Sequence, residues 1–375
     1  MKSGRMRHRF SRNLTPILPI LPILVVLVAG CSVRPVHGNA ATADVAVGAG
    51  LRAIPKIDVH AHYRTDSPEL VSTLAEWNVR AVLVNVTGGD RKIAEKWRDY
   101  RTLQAAHAGR FFLVTTFDPF RFNEPDFVAT TIAQLRADIA AGAKAVKVWK
   151  DIGMELKDAD GRYVQIDHPR FQPIWDFLAD QHIPVMAHIG EPLAAWRPLN
   201  DSSPHFWYYK NNSQYHAFSR PEIPGHETII AARDRWVARN PRLTIVAMHL
   251  ASLEYDVDEV GKRLDRYSNL YVETAARIND LAMQPSPKVR DFFLRYQNRV
   301  MWGTDFGEGS TSRAQLEASF DQQWRYYARG DTVTLGSARG WHRTVQGLDL
   351  PLTVLDKFAH RNAERVLLAR RRGAD

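Results

Sequence analysis

The hydrophobic residues of this chain fall into short continuous runs separated by longer stretches of helical period. Past residue 54, the runs Ile57–Ala61, Val79–Val86, Phe111–Phe117, Ala143–Trp149, Ile183–His188, Leu243–Met248, Asn269–Glu273 and Arg299–Gly303 each read as a strand. Most are apolar throughout rather than alternating, the pattern of parallel strands buried on both faces. Over Glu124–Ala141, Phe127, Leu135 and Ile139 share one helical stripe, and Gly142 supplies a left-handed stop. A second such stretch, Thr353–Leu368, turns Leu355, Ala359, Val366 and Leu367 inward. Eight alternating units over residues 54–370 predict an α/β fold of the closed (β/α)8 TIM-barrel type, with its site at the C-terminal strand ends. An open doubly wound sheet is the competing topology, but no Gly-rich phosphate loop follows an early strand.

Two connections are too long for turns. Residues 193–225 hold Trp196, His205, Phe206, Trp207, Tyr208, Tyr209, Tyr215, His216 and Phe218, and read as a structureless loop that either covers a site or packs on the barrel rim. Residues 308–351 are expected to contain a helix over Arg313–Tyr327.

The first 30 residues have a different plan: basic through Arg12, apolar from Leu14 to Ala29, then small residues before Cys31. That is the tripartite layout of an export signal. The apolar run is shorter than the roughly 20 residues a spanning helix needs and is broken by Pro16, Pro19 and Pro22. Val28-Ala29-Gly30-Cys31 resembles the lipobox of bacterial lipoproteins, which implies lipidation of Cys31 and a lipid anchor in the cell envelope. Ser32 after it implies the outer membrane if the cell is Gram-negative. Residues 31–53, rich in Ala, Gly and Val, read as a flexible tether of roughly 26 Å root-mean-square reach.

Composition then narrows the chemistry. The net charge of +9 suggests an acidic partner, but five of the 50 basic residues lie in the first thirty positions. Without them, 45 basic residues face 41 acidic ones, or +4, and no basic-aromatic motif points to nucleic acid. The single cysteine, Cys31, excludes an intramolecular disulfide and a cysteine-based zinc cluster. A metal would need His, Asp, Glu or a modified Lys.

His60 and His62 end the first strand, two apart and therefore on one side of it. Fourteen histidines make about 0.5 such pairs by chance, so the pair counts only in context. The context is His188 ending the fifth strand, His249 ending the sixth and Asp305 following the eighth. Taken together, the pattern resembles the amidohydrolase superfamily, and within it the amidohydrolase-related family that includes aminocarboxymuconate-semialdehyde decarboxylase. The resemblance covers about residues 54–370, including the closing Arg361-Asn362-Ala363-Glu364-Arg365-Val366-Leu367 segment. It implies that His60, His62, His188 and Asp305 hold a divalent metal, zinc first and manganese or another ion in its place, with one ion favoured over two. His249 would polarise the substrate or bind a second ion. Such an ion lowers the pKa of water towards about 7, and Asp305 would shuttle the proton.

Lys147, a charge within the apolar fourth strand, has three readings: a carboxylated bridge between two ions, a partner of substrate or carboxylate, or an exposed side chain. Arg277 and Trp196 are further candidates for substrate contact, Glu273 faces the mouth or an ion pair, and Asp58 would orient a ligand. His216 and His226 are assigned no ligand role. The expected activity is hydrolysis of a C–N or C–O bond in a small amide, lactone or ester. Non-hydrolytic decarboxylation and a silent binding lipoprotein are the alternatives, and a homodimer is implied by the resemblance alone.

Overall fold

A computed structural model describes residues 50–88, 92–307, 312–336 and 340–369. Cys31, the export signal and the tether up to residue 49 lie outside the described residues; residues 50–53, read as the end of the tether, are helical, with Leu51 buried in the core. The eight apolar runs form strands β1 (Lys56–His62), β2 (Val79–Val84), β3 (Phe111–Thr116), β4 (Ala143–Val148), β5 (Val185–Ala187), β6 (Ile245–Ala247), β7 (Leu270–Glu273) and β8 (Val300–Met301). All neighbours pair in parallel and in sequence order. The chain leaving β8 continues into a short strand, β9 (Phe306–Gly307), that pairs with β1. Trp302 O and Asp305 N also bond to Val59 N and His60 O, so one run of chain joins β7 to β1 and closes the barrel.

A helix follows each of the eight strands: Pro68–Glu76, Ile93–Ala106, Phe127–Ala140, Gln172–Asp180, His226–Arg239, Val257–Arg266, Ser286–Arg295 and Arg313–Ala328. The helix expected from Glu124 begins only at Phe127, because Pro125 holds Glu124 extended at ψ 139°. Gly142 does stand at φ +105° beyond its end.

Inside the barrel, Ile57, Val59, Val82, Val114, Ala145, Met186, Val246 and Met301 fill the axis, and Ala363 and Leu367 of the closing helix plug its N-terminal end. Asn362 fastens that plug by donating to Gln297 O and Val300 O, each at 2.8 Å. A second, larger core lies between strands and helices.

The long connections are not structureless. Residues 193–225 hold three 3-10 turns and a helix, Phe206–Asn211. After Arg313–Ala328 comes an antiparallel hairpin of β10 (Thr332–Gly336) and β11 (His342–Gln346), which the sequence pattern did not announce. Among the described residues no helix is long and apolar enough to cross a membrane.

Candidate metal centre

The site is assembled by closing the barrel. The pairing of β1 with β2 shifts register between Asp58 and Ala61, an irregularity that spans Val59 and His60. Asp58 is buried and accepts three hydrogen bonds: from His60 N at 3.0 Å, Thr304 N at 2.9 Å and the Thr304 hydroxyl at 2.6 Å. It therefore binds the end of β1 to the turn that carries Asp305, rather than orienting an imidazole. Burial pushes its pKa up to about 7 against those donors. Asp305 takes φ +65° and donates its N–H to His60 O at 2.7 Å, so a strained backbone places its carboxylate beside the two histidines.

His60 Nε2 and His62 Nε2 each lie 3.1 Å from the same oxygen, Asp305 Oδ1. The other ring nitrogens settle the tautomers. His62 Nδ1 meets Val84 O at 2.8 Å, and a carbonyl only accepts, so this nitrogen carries the hydrogen. His60 Nδ1 meets Glu273 Oε1 at 3.2 Å, with the same consequence. Both rings then turn an Nε2 lone pair towards a carboxylate, an arrangement that repels unless a cation sits among them. Burial holds His60 well below the usual imidazole pKa, so its own ring does not take a second proton to supply that cation. The donor set fits a divalent metal.

His188 and His249 stand beside this group. The His249 ring lies 4.8 Å from that of His60 and 4.2 Å from that of His188, centroid to centroid. Among the described residues, His188 Nε2 is buried without a hydrogen-bond partner, which suits a ligand nitrogen. It lies outside the tight group of His60, His62 and Asp305, whose ligand atoms are all within 4.8 Å of one another. His249 Nδ1 meets Ala275 O at 2.8 Å, so the neutral ring keeps a lone pair at Nε2. Of the two roles expected of His249, this lone pair suits that of a metal ligand.

Glu273, at the end of β7, is the hub beneath these rings. Fully buried, it accepts from His60 Nδ1, from His249 N at 2.7 Å and from Ala275 N. Gly303 makes room for it: a Cβ there would lie 2.9 Å from Glu273 Oε2 and 3.1 Å from His60 Cβ. Sequence spacing gave no reason to single out this glycine. His249 opens a run of four left-handed residues, His249 to Ser252, with φ between 53° and 61°. Such a run costs about 1–2 kcal/mol per residue. It is held by Glu273 at one end and, at the other, by Ser252 Oγ donating to Gly190 O, His226 Nε2 on Ser252 O, and the buried Arg233 on Ala251 O. His226 is thus structural, as is His216, whose Nε2 bonds Arg197 O.

Lys147 is fully buried, which removes the exposed reading. Its Nζ meets Met248 Sδ, and burial pushes its pKa down to about 7 against the pull of Asp305 and Glu273. Trp196 packs within the 193–225 connection, donating to Pro224 O at 3.1 Å and edge-on to His226. No contact with the metal-site side chains appears for it among the described residues. Arg277 is buried against Glu254 and near Asp280, and Asp280 in turn pairs with His205 at 2.7 Å. His205, Glu254 and Asp280 also converge closely enough to hold an ion. There, two carboxylates already face a guanidinium and an imidazole, so charge is balanced without a metal. A cavity of about 620 Å³ opens beside Asp305, between the β7 and β8 ends, helix Arg313–Ala328 and the hairpin.

No curated protein matches the sequence. Among solved structures, one named as a metal-dependent hydrolase from Lactobacillus casei ATCC 334 has TM-score 0.50 at 10% identity, covering 86% of this chain and 97% of that chain. A 2,6-dihydroxybenzoate decarboxylase complexed with 2,6-dihydroxybenzoate has TM-score 0.49 at 14% identity, covering 84% and 99%. The 4-oxalomesaconate hydratase of Rhodopseudomonas palustris has TM-score 0.46 at 12% identity, covering 84% and 95%. At such identities the likeness is one of fold. The amidohydrolase family model, in contrast, matches residues 57–368, from β1 through the closing helix, and the chain therefore belongs to the amidohydrolase family.

Proposed function

We propose that this protein is a metal-dependent hydrolase that cleaves a C–N or C–O bond in a small amide, lactone or ester. The observation that carries the reading is the pair of Nε2 lone pairs, from His60 and His62, directed at one oxygen of Asp305. His60, His62 and Asp305 would hold one divalent ion, zinc first, with the unpartnered His188 Nε2 completing the set. When bound, the ion polarises an acyl oxygen and makes water acidic enough to ionise near neutral pH. The carboxylate of Asp305 is one-third exposed at the mouth, so it can take a proton from water and return it to the leaving group. His60 is held in its ligand tautomer by Glu273, and His249 keeps a second lone pair beside it.

Decarboxylation would want a free cation for the departing carboxylate. Arg277 is engaged by Glu254 and Asp280, and the buried Lys147 turns its Nζ to Met248 Sδ, which favours hydrolysis. The test is metal content by elemental analysis on protein starting after Cys31, followed by acid release from a panel of lactones, esters and amides, with carbon dioxide measured in parallel. About one equivalent of metal, lost in His60→Ala, together with acid release supports the reading. Carbon dioxide without acid release replaces it with a decarboxylase, and no metal even after added zinc or manganese favours a binding lipoprotein. We further propose export and lipidation at Cys31, on the strength of the N-terminal pattern alone.

A further inference from the structure

The helix Phe206–Asn211 lies in the connection that leaves the His188 end of β5, on the same barrel face as the candidate ligands. His205, Tyr208 and Tyr209 stand at helical spacing i, i+3 and i+4, and so share one face. All three reach the barrel. Tyr209 donates to Glu191 Oε2 at 3.2 Å, and Tyr208 accepts from Lys150 Nζ at 2.8 Å. Lys150 is buried, paired with Glu191, and surrounded by aromatic rings: its Nζ lies 3.5 Å from the Tyr215 ring centroid, 5.0 Å from that of Trp149 and 5.3 Å from that of Tyr208. This aromatic cage, filled by the protein's own ammonium, joins the connection to the ends of β4 and β5.

The other attachment is of a different kind. His205 Nε2 meets Asp280 Oδ1 at 2.7 Å, tying the start of the same helix to the segment after β7. Arg277 and Glu254 face the same pair, and the Tyr209 ring lies 6.1 Å from that of His205. Among the described residues Glu254 Oε2 and Asp280 Oδ2 are buried with no hydrogen-bond partner, and Glu254 Oε1 accepts only from Leu193 N, so the charges of Arg277 and His205 are the main compensation for the two carboxylates. Burial, with Asp280 beside it, raises Glu254 to about 6, so above that value both carboxylates are ionised: a protonated His205 then makes the quartet neutral, and a neutral His205 leaves one buried negative charge uncompensated.

We propose that residues 193–225 form a lid over the metal site, permanently fixed through the Lys150 cage and fastened at its second point only while His205 is protonated. This rests on the strand-end mouth being the active site. Burial alone would lower the His205 pKa, but Asp280, by charge and by hydrogen bond, outweighs it and raises it. A group raised in this way gives its full fastening below its unfolded value of about 6.5 and loses it as pH climbs through the folded one. The lid is therefore closed in mild acid and loosens in base.

Amide hydrogen exchange by mass spectrometry on the full chain, without substrate or added metal, tests the lid independently of the hydrolase reading. After correction for intrinsic exchange, peptides over 203–216 should lose about tenfold or more of their protection between pH 6 and pH 9 while barrel strands keep theirs, the scale expected for one charge-assisted bond. His205→Gln should show the low protection at both values. A flat profile in the unmodified chain, a loss spread through the strands, or a His205→Gln variant that keeps the pH dependence would overturn the proposal. If that variant does not fold, the unmodified profile alone decides.

Discussion

Replacing Glu273 by glutamine exchanges one carboxylate oxygen for an NH2 group at the base of the site and tests whether the hub sets metal affinity. The carboxylate accepts from three N–H groups: His60 Nδ1, His249 N and Ala275 N. A side-chain amide has one oxygen, which can serve the His60 and His249 pair on Oε1, but its NH2 then faces the Ala275 N–H, donor against donor. Leaving one buried donor unmet costs about 1–3 kcal/mol. Turning the amide round instead deprives His60 Nδ1 of its acceptor and frees the ring to change tautomer, which removes the Nε2 lone pair from the metal position. Losing a partner that orients a ligand histidine typically lowers metal affinity about 10–100-fold. Glu273→Gln should therefore weaken zinc by that factor in competition with a chromophoric chelator, and lower the melting temperature. Affinity within twofold of the unmodified protein would refute the hub argument, because the lone-pair geometry would then persist without the carboxylate.

Other expectations follow from the same contacts. Gly303→Ala puts a methyl group 2.9 Å from Glu273 Oε2, and should lower both stability and bound zinc, by thermal melting and elemental analysis, while Gly307→Ala, with 3.6 Å to its nearest neighbour, should leave zinc content unchanged. His60→Ala and Asp305→Asn should each abolish turnover and leave the circular dichroism spectrum intact; substantial activity in both would sink the mechanism. Ser252→Ala removes the bond to Gly190 O from the left-handed turn and should cost about 1–2 kcal/mol in urea unfolding. Cys31→Ser should abolish incorporation of labelled fatty acid into the full-length chain, and unchanged labelling would refute lipidation there.

Much of this site could be read along the chain because barrel topology turns sequence order into geometry. A residue at a strand end belongs to the mouth, so His60, His62, His188, His249 and Asp305 could be nominated together once eight strands were counted. The strands themselves were legible because both faces are buried, which leaves apolar runs with no alternation to blur them. Sequence could not decide what depends on distant backbone. Glu273 became the hub because β7 pairs with β6 and stands one strand, β8, away from β1, Gly303 because a side-chain oxygen passes where its Cβ would be, and Arg277 was drawn aside by Glu254, on another segment, and by Asp280 three residues along. The ring tautomers lay further still from the sequence. They are fixed by Val84 O, Glu273 and Ala275 O, groups brought to the histidines only when the barrel closes. Residue types and strand ends determined which side chains are available to bind a metal; the folded backbone determined which of their lone pairs face it.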